Sequence, residues 1–216
     1  MYIDYEESEK YCKSDGVKPY IQCEYAHAMG NSEGGFKEYW DLIRKYPKYQ
    51  GGYIWDFVDQ GLRDKSPITG KEIFTYGGDY GRYPASDYNF NCNGIIAPDR
   101  RLNPHAYEIQ YWHQNVWIKD LDAVNGAFNI YNENFFKKID DLHLTATIYA
   151  NGVKLSTVEI PETKGIAPQT TKMVKSDALK YAIAEAETEH GKEEITVNFA
   201  FASDGTEPLV EKGQVI

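Results

Sequence analysis

Apolar positions change their period along this chain, and the change divides it. Residues 5–13 are polar and charged and rich in good helix formers, and Ser14-Asp15-Gly16 closes them like a helix C-cap and turn. Tyr20-Ile21-Gln22-Cys23 reads as a short strand led in by Pro19, whose missing N–H costs least at a strand's first position. From Asn31 to Tyr46 the spacing is helical. Phe36, Tyr39, Trp40 and Ile43 share a face, Asn31 and Ser32 are candidate N-caps, and Pro47 stops the pattern. Gly51-Gly52 then opens a second buried run, Tyr53–Val58. Strand, helix and strand at this spacing predict a βαβ unit with a parallel sheet. Residues 61–103, dense in Gly, Pro, Asn, Asp and Tyr, read as a long loop, a length that in a compact domain is functional or held by its neighbours. Asn103-Pro104-His105 starts one more helix, reaching about Trp112.

Beyond Val116 the period shortens. Phe128–Tyr131, His143–Ala150, Val153–Ile160 and Ile195–Phe201 read as strands, and Asn151-Gly152 between two of them is a strong hairpin signal. Several short strands within about 100 residues predict an antiparallel sandwich. Leu179–Glu189 is locally ambiguous and allows a helical turn. The division falls at 1–114 and 115–216, with no internal repeat.

Composition narrows the class. The 216 residues carry 42% hydrophobic and 26% charged side chains, ordinary globular usage that excludes wholesale disorder. No run approaches the roughly 18 apolar residues of a membrane helix, and the acidic start has no apolar leader segment. The net charge of −10 argues against a general nucleic-acid binder, because an acidic surface repels phosphates. Cys12, Cys23 and Cys92, an odd and irregular set, argue against a disulfide framework and a cysteine zinc site. Aromatic content is 14%, with 18 Tyr. Such rings stack on sugars, but they also favour strands and cores.

Several residues have chemistry to offer. Glu24 ends the first clear strand, where catalytic groups gather in parallel α/β barrels; the plain alternative is a carboxylate capping the next turn. Trp55 suits a sugar platform or an ordinary core, and Asp56 and Asp59 suit bonds to loop amides. His27 has no second ligand at metal spacing, so a hydrogen-bonding role fits it better than zinc. Phe90-Asn91-Cys92-Asn93-Gly94 offers amide and carbonyl oxygens suited to a hard cation or a sugar hydroxyl, or simply a turn.

Taken together, the runs 19–32 (PYIQCEYAHAMGNS), 53–60 (YIWDFVDQ), 76–81 (YGGDYG) and 90–94 (FNCNG) closely resemble, in order, the signatures of bacterial lactose-cleaving β-galactosidases of glycoside hydrolase family 2. The likeness is strong to about His105 and fades to a pattern match beyond. It implies an α/β part, the C-terminal portion of a (β/α)8 TIM barrel, over 1–114. An all-β, immunoglobulin-like β-sandwich is implied over 115–216.

Carried over position by position, the resemblance makes Glu24 the nucleophile and Tyr2 the tyrosine beside it. His27 contacts the galactosyl ring and Trp55 floors it. Asn93, with the Phe90 carbonyl, forms part of a sodium site near the sugar 6-hydroxyl, and Asp87 supports that loop. It implies a β-galactoside substrate, Na+ and Mg2+ in the complete enzyme, and a homo-oligomer. The acid/base glutamate and the magnesium ligands are expected in an upstream barrel half that this chain lacks. The isolated chain is therefore expected to be an inactive fragment, with its barrel portion self-associating or poorly ordered alone and the sandwich able to fold independently. Free cysteines and the absent leader favour the cytoplasm, with no nucleic-acid or membrane partner. A non-catalytic carbohydrate-binding or assembly module is the alternative from another class, and a relative preferring another sugar, such as a glucuronide, is a third.

Overall fold

The protein was analysed as a computed structural model that describes residues 1–81 and 87–216. It divides into two units, Met1–His113 and Gln114–Ile216.

In the first unit, α1 (Tyr5–Lys13) starts where the Asp4 carboxylate accepts the Glu7 amide at 2.8 Å, with acidic residues in its first turn and lysines in its last. β1 (Tyr20–His27) pairs in parallel with β2 (Tyr49–Trp55), and α2 (Phe36–Lys45) is the crossover between them. The βαβ expectation is thus met, with β1 longer than its apolar run predicts and β2 displaced toward the N-terminus. α2 begins later than Asn31 because Gly35, at φ 77°, is its N-cap. Asn31 and Ser32 belong to the preceding loop, where Ser32 donates to the His27 carbonyl at 2.5 Å.

The stretch 61–103 is not a bare loop. It contains an antiparallel hairpin of β3 (Leu62–Lys65) and β4 (Glu72–Thr75), then a single 3-10 turn at Gly77–Tyr80. α3 (His105–His113) follows. Phe36, Tyr39, Tyr25, Tyr49 and Ile109 form the buried cluster of this unit. Ile21, Tyr53 and Phe57 stay more than half exposed.

The second unit holds two three-stranded antiparallel sheets. In one, β6 (Ala127–Asn132) lies between β5 (Val116–Asp122) and β9 (Thr170–Lys175). In the other, β7 (Leu142–Ala150) lies between β8 (Val153–Ile160) and β10 (Ile195–Ser203). Asn151 and Gly152 make the β7–β8 turn with φ of 46° and 79°, the two positive values that a type I′ hairpin needs. The ambiguous stretch is a full helix, α4 (Asp177–His190), capped by the Ser176 hydroxyl on the Leu179 amide. β7 alternates strictly, with Leu142, Leu144, Ala146, Ile148 and Ala150 buried. They meet Phe128, Ile130, Leu179 and Ile183 in one core.

Ile130 is wholly buried there. Ile130→Ala should cost about 2–5 kcal/mol in the unfolding of this unit, read by chemical denaturation, because the surrounding sheets relax only partly into the space left.

Candidate active site

The C-terminal end of β1 collects the candidate groups. Glu24 and His27 lie on β1, and His27 stands in register with Trp55 at the end of β2. The Ala28 amide donates to the Trp55 carbonyl at 2.9 Å, so the two strand ends stay joined beyond the paired region. The Trp55–Asp56 peptide is cis.

Tyr2 comes from outside the sheet. Its backbone N–H donates to the Glu24 carbonyl at 2.6 Å. Its phenol is held protonated well above the ordinary value, first by burial and then by the neighbouring Glu24 carboxylate. Tyr2 therefore stays a neutral phenol beside Glu24. The Tyr2 ring meets His27 edge to face at 5.7 Å between centroids, and His27 lies 5.5 Å from the Phe90 ring.

Gln22 sets this arrangement. Fully buried two residues before Glu24, it grips Ile3 at both ends: its Oε1 accepts the Ile3 amide at 2.9 Å and its Nε2 donates to the Ile3 carbonyl at 3.3 Å. The same Nε2 donates to the Tyr49 hydroxyl at 2.9 Å. Sequence reading passed over Gln22 as part of an apolar strand. A glutamine at an inward position of such a run was the signal available.

The segment 93–96 runs beside the continuation of β2. The Asp56 amide donates to the Asn93 carbonyl at 2.6 Å, the Ile95 amide to the Asp56 carbonyl at 2.9 Å, and Val58 and Ile96 form a parallel bridge. The Asp59 carboxylate accepts the Gly94 amide at 2.7 Å. Asn103 Nδ2 donates to the Gly94 carbonyl at 2.9 Å. Asp56 bonds the Val58 amide and the Gln60 side chain, so both aspartates serve loop donors.

Asn93 is buried at the head of this segment. Its amide nitrogen donates to the Phe90 carbonyl at 2.8 Å, while its Oδ1 has no hydrogen-bond partner. A buried amide oxygen left without a donor suits a hard cation, which is bound through oxygen. Asp87 meets the loop through its backbone, whose carbonyl accepts the Phe90 amide at 3.2 Å. Trp55 and Phe90 present 40% and 52% of their surfaces to solvent, so both rings are open to a ligand. Tyr2, Glu24, His27, Trp55, Phe90 and Asn93 thus come from β1, the end of β2, one terminal segment and one loop. Among the described residues no group of three His, Cys, Asp or Glu side chains is placed to hold a metal.

Residues 1–118 match the family model described as glycosyl hydrolases family 2, TIM barrel domain, and residues 128–216 match the one described as beta-galactosidase, domain 4. A beta-galactosidase of Halalkalibacterium halodurans is 44% identical over 72% of this chain and 15% of its own length. One from Leuconostoc mesenteroides is 36% identical over 92% of this chain and 18% of its own length, and one from Priestia megaterium is 33% identical over 94% and 19%. The chain therefore spans less than a fifth of the length of these relatives. No helix among the described residues is long and apolar enough to cross a membrane.

Proposed function

This chain belongs to glycosyl hydrolase family 2, and from that premise we propose that it supplies the nucleophile half of a retaining β-galactosidase site acting on terminal β-D-galactosides such as lactose. The observation that carries the reading is the pairing of Tyr2 with Glu24 on a parallel strand, three residues before the strand ends at His27 opposite Trp55. We assign residues 1–114 to the C-terminal part of a (β/α)8 barrel and residues 115–216 to the immunoglobulin-like sandwich that follows it.

A retaining glycosidase holds two carboxyl groups about 5–5.5 Å apart across the scissile bond. Glu24 attacks the anomeric carbon. The bond to the leaving oxygen breaks as a glycosyl ester forms, and the leaving oxygen takes its proton from the second carboxyl. Water, deprotonated by that second group, then cleaves the ester and frees Glu24. We place the second carboxyl on polypeptide outside this chain. The Tyr2 O–H donates to the Glu24 carboxylate, steadying the attacking form in the free enzyme and the leaving form in the second step. His27 and Trp55 hold the sugar, the first by hydrogen bonding and the second by stacking under its apolar face.

Asn93 Oδ1 and the Phe90 carbonyl are the residues here that would hold sodium. Such an ion supplies a fixed positive charge beside a sugar hydroxyl. Magnesium belongs to ligands outside this chain, and no step above runs through it. Homo-oligomerisation is a property we assign to the complete enzyme. The three free cysteines favour a reducing compartment such as the cytoplasm.

The test is hydrolysis of a chromogenic β-galactoside by the purified chain, with and without an upstream fragment carrying the remaining barrel. Turnover only on mixing is expected. Turnover by the chain alone would overturn the placement of the second carboxyl. No turnover on mixing, with the two pieces shown to associate, would favour a sugar-binding or assembly role.

A further inference from the structure

The loop between β1 and α2 buries a carboxylate that nothing around it compensates. Glu33 has no exposed side-chain surface, and neither of its oxygens has a hydrogen-bond partner. The nearest ring nitrogen, His105 Nε2, stands 3.6 Å from Oε2 and lies closer, at 3.1 Å, to the Gly94 carbonyl. A carbonyl only accepts, so Nε2 carries its hydrogen toward Gly94. The other titratable groups near Glu33 are Glu108 on α3, Asp59 beyond β2, Cys92, and Tyr25 on β1. Each of these is neutral or negative. The loop backbone also borders a cavity of about 600 Å³, and among the described residues no lysine or arginine lines it. The Glu33 carboxylate does not open onto that cavity. An ionised carboxyl without donors or a cation is costly in such a place.

The backbone is strained at the same residue. Glu33 sits at φ 67°, in the left-handed region that disfavours any side chain with a β-carbon. Gly30 and Gly35 flank it at φ 63° and 77°. Strain and an uncompensated carboxyl thus meet in one short segment, between two glycines that let the backbone turn.

We infer that residues 30–35 form a proton-operated latch: with its carboxyl neutral, Glu33 stays inside and holds the loop beside α3, and once ionised it leaves for water and the loop opens at the two glycines. The cavity bordering the loop leaves room for that movement.

The direction follows from linkage. Burial pushes the Glu33 carboxyl from an ordinary 4.5 up to about 7. The closed loop therefore holds the proton more tightly than the open one. Closure is unopposed below pH 4.5, weakens as pH rises, and weakens no further above about 7, where both forms are ionised. Between these limits each pH unit multiplies the opening constant by about ten, so a rise from pH 5.5 to 8 multiplies it by about 20–30. Ser32, next in the chain, donates its hydroxyl to the His27 carbonyl. Opening therefore withdraws backbone support from the histidine of the candidate site, on the alkaline side.

The inference does not depend on the glycosidase reading, and its test needs no turnover. The full chain is treated with dilute subtilisin between pH 5.5 and 8, where cleavage tracks the population of the open form, and the cuts are located by mass spectrometry. A peptide of residues 28–36 corrects for the protease's own pH dependence. Cuts within 28–35 should accelerate about 20–30-fold and level off above pH 7. In Glu33→Gln, which keeps the side chain's shape without its charge, they should change less than about twofold. A second measurement needs no variant: carbon NMR of the chain labelled at glutamate Cδ, with Glu33 assigned from its sequential correlations, should place its midpoint near 7. A flat wild-type rate, an equal rise in Glu33→Gln, or an ordinary midpoint for Glu33 overturns the latch. So does an equal rise at cuts within β1, which would mean that the whole unit unfolds.

Discussion

Glu24→Gln is expected to abolish turnover of a chromogenic β-galactoside in the reassembled enzyme, by about 10⁴–10⁶-fold, while leaving sugar affinity within a few-fold. The size follows from removing one member of a pair that acts as a unit, where a single loss costs nearly as much as losing both. Glutamine keeps the side chain's shape and an oxygen for the Tyr2 phenol, so the pocket stays formed. Its amide is too poor a nucleophile to open the glycosidic bond. Two measurements bear on it: steady-state turnover, and the dissociation constant of a non-hydrolysable galactoside. A third fixes the position. A galactoside with an electron-withdrawing 2-substituent, whose second step is slow, should add its glycosyl mass to the peptide containing Glu24 and add none in the variant. Turnover unchanged in Glu24→Gln would sink the catalytic assignment and leave a binding module. Turnover lost together with sugar affinity would point to a collapsed pocket instead.

The second large effect falls on stability. Gly94 lies against the backbone of the neighbouring segment. A β-carbon there would meet the Asp59 amide nitrogen, the Val58 carbonyl carbon and, at 2.7 Å, the Ile96 carbonyl oxygen. All three are main chain, and none can rotate aside. Gly94→Ala should therefore force the 93–96 segment away from the continuation of β2. That breaks the Asp59 bond to the Gly94 amide and the Asn103 bond to its carbonyl. We expect a loss of about 3 kcal/mol or more in the unfolding of the first unit, at the upper end of overpacking effects. Urea denaturation followed by tryptophan fluorescence measures it. Gly34→Ala is the control. A β-carbon at Gly34 finds nothing within 4 Å and its φ is not positive, so a change within about 0.5 kcal/mol is expected. Equal losses in both variants would mean that the close approach at Gly94 is not what holds the segment.

Much of the fold was legible because its stop signals are local. Ser14-Asp15-Gly16 ends α1 through the Ser14 amide and hydroxyl, both bonded to the Tyr11 carbonyl. Asn151-Gly152 turns the β7–β8 hairpin for the conformational reason its sequence suggests. Illegible elements lacked a buried face. Every residue of β3 is exposed, so Leu62–Lys65 shows no alternation, and its pairing with β4 rests on backbone bonds that leave no periodic trace. β9 buries only Val174 fully, again too little to set a period. The start of α2 was misplaced because Gly35 caps it by conformation, with no side-chain bond to advertise it.

At the candidate site, the groups with conspicuous chemistry were readable one by one: a glutamate on a strand that in fact runs on three residues to His27, a tryptophan ending the next, an asparagine in a polar loop. Their assembly was not, since it depends on the parallel register and on residues with no chemical signature. Glu33 was missed outright. Asn31 and Ser32 beside it read as N-caps of a helix over 31–46, and only burial distinguishes its carboxylate from a solvated one.

Gln22 changes what counts as an intact site. Tyr2 is fastened beside Glu24 by its own amide on the Glu24 carbonyl and, one residue on, by the Gln22 side chain gripping the main chain of Ile3, whose carbonyl also accepts the Tyr39 hydroxyl. The spacing of the pair is thus written in part in a residue that belongs to neither member. A natural variant or engineered relative with Tyr2 and Glu24 preserved but an apolar residue at 22 would pass any inspection of its reactive groups. Its phenol would nonetheless lose one of the fastenings that hold it beside its carboxylate. Inventories of catalytic side chains in such proteins should be kept with their fastenings, because drift at a fastening detunes the machinery while every working part still looks present.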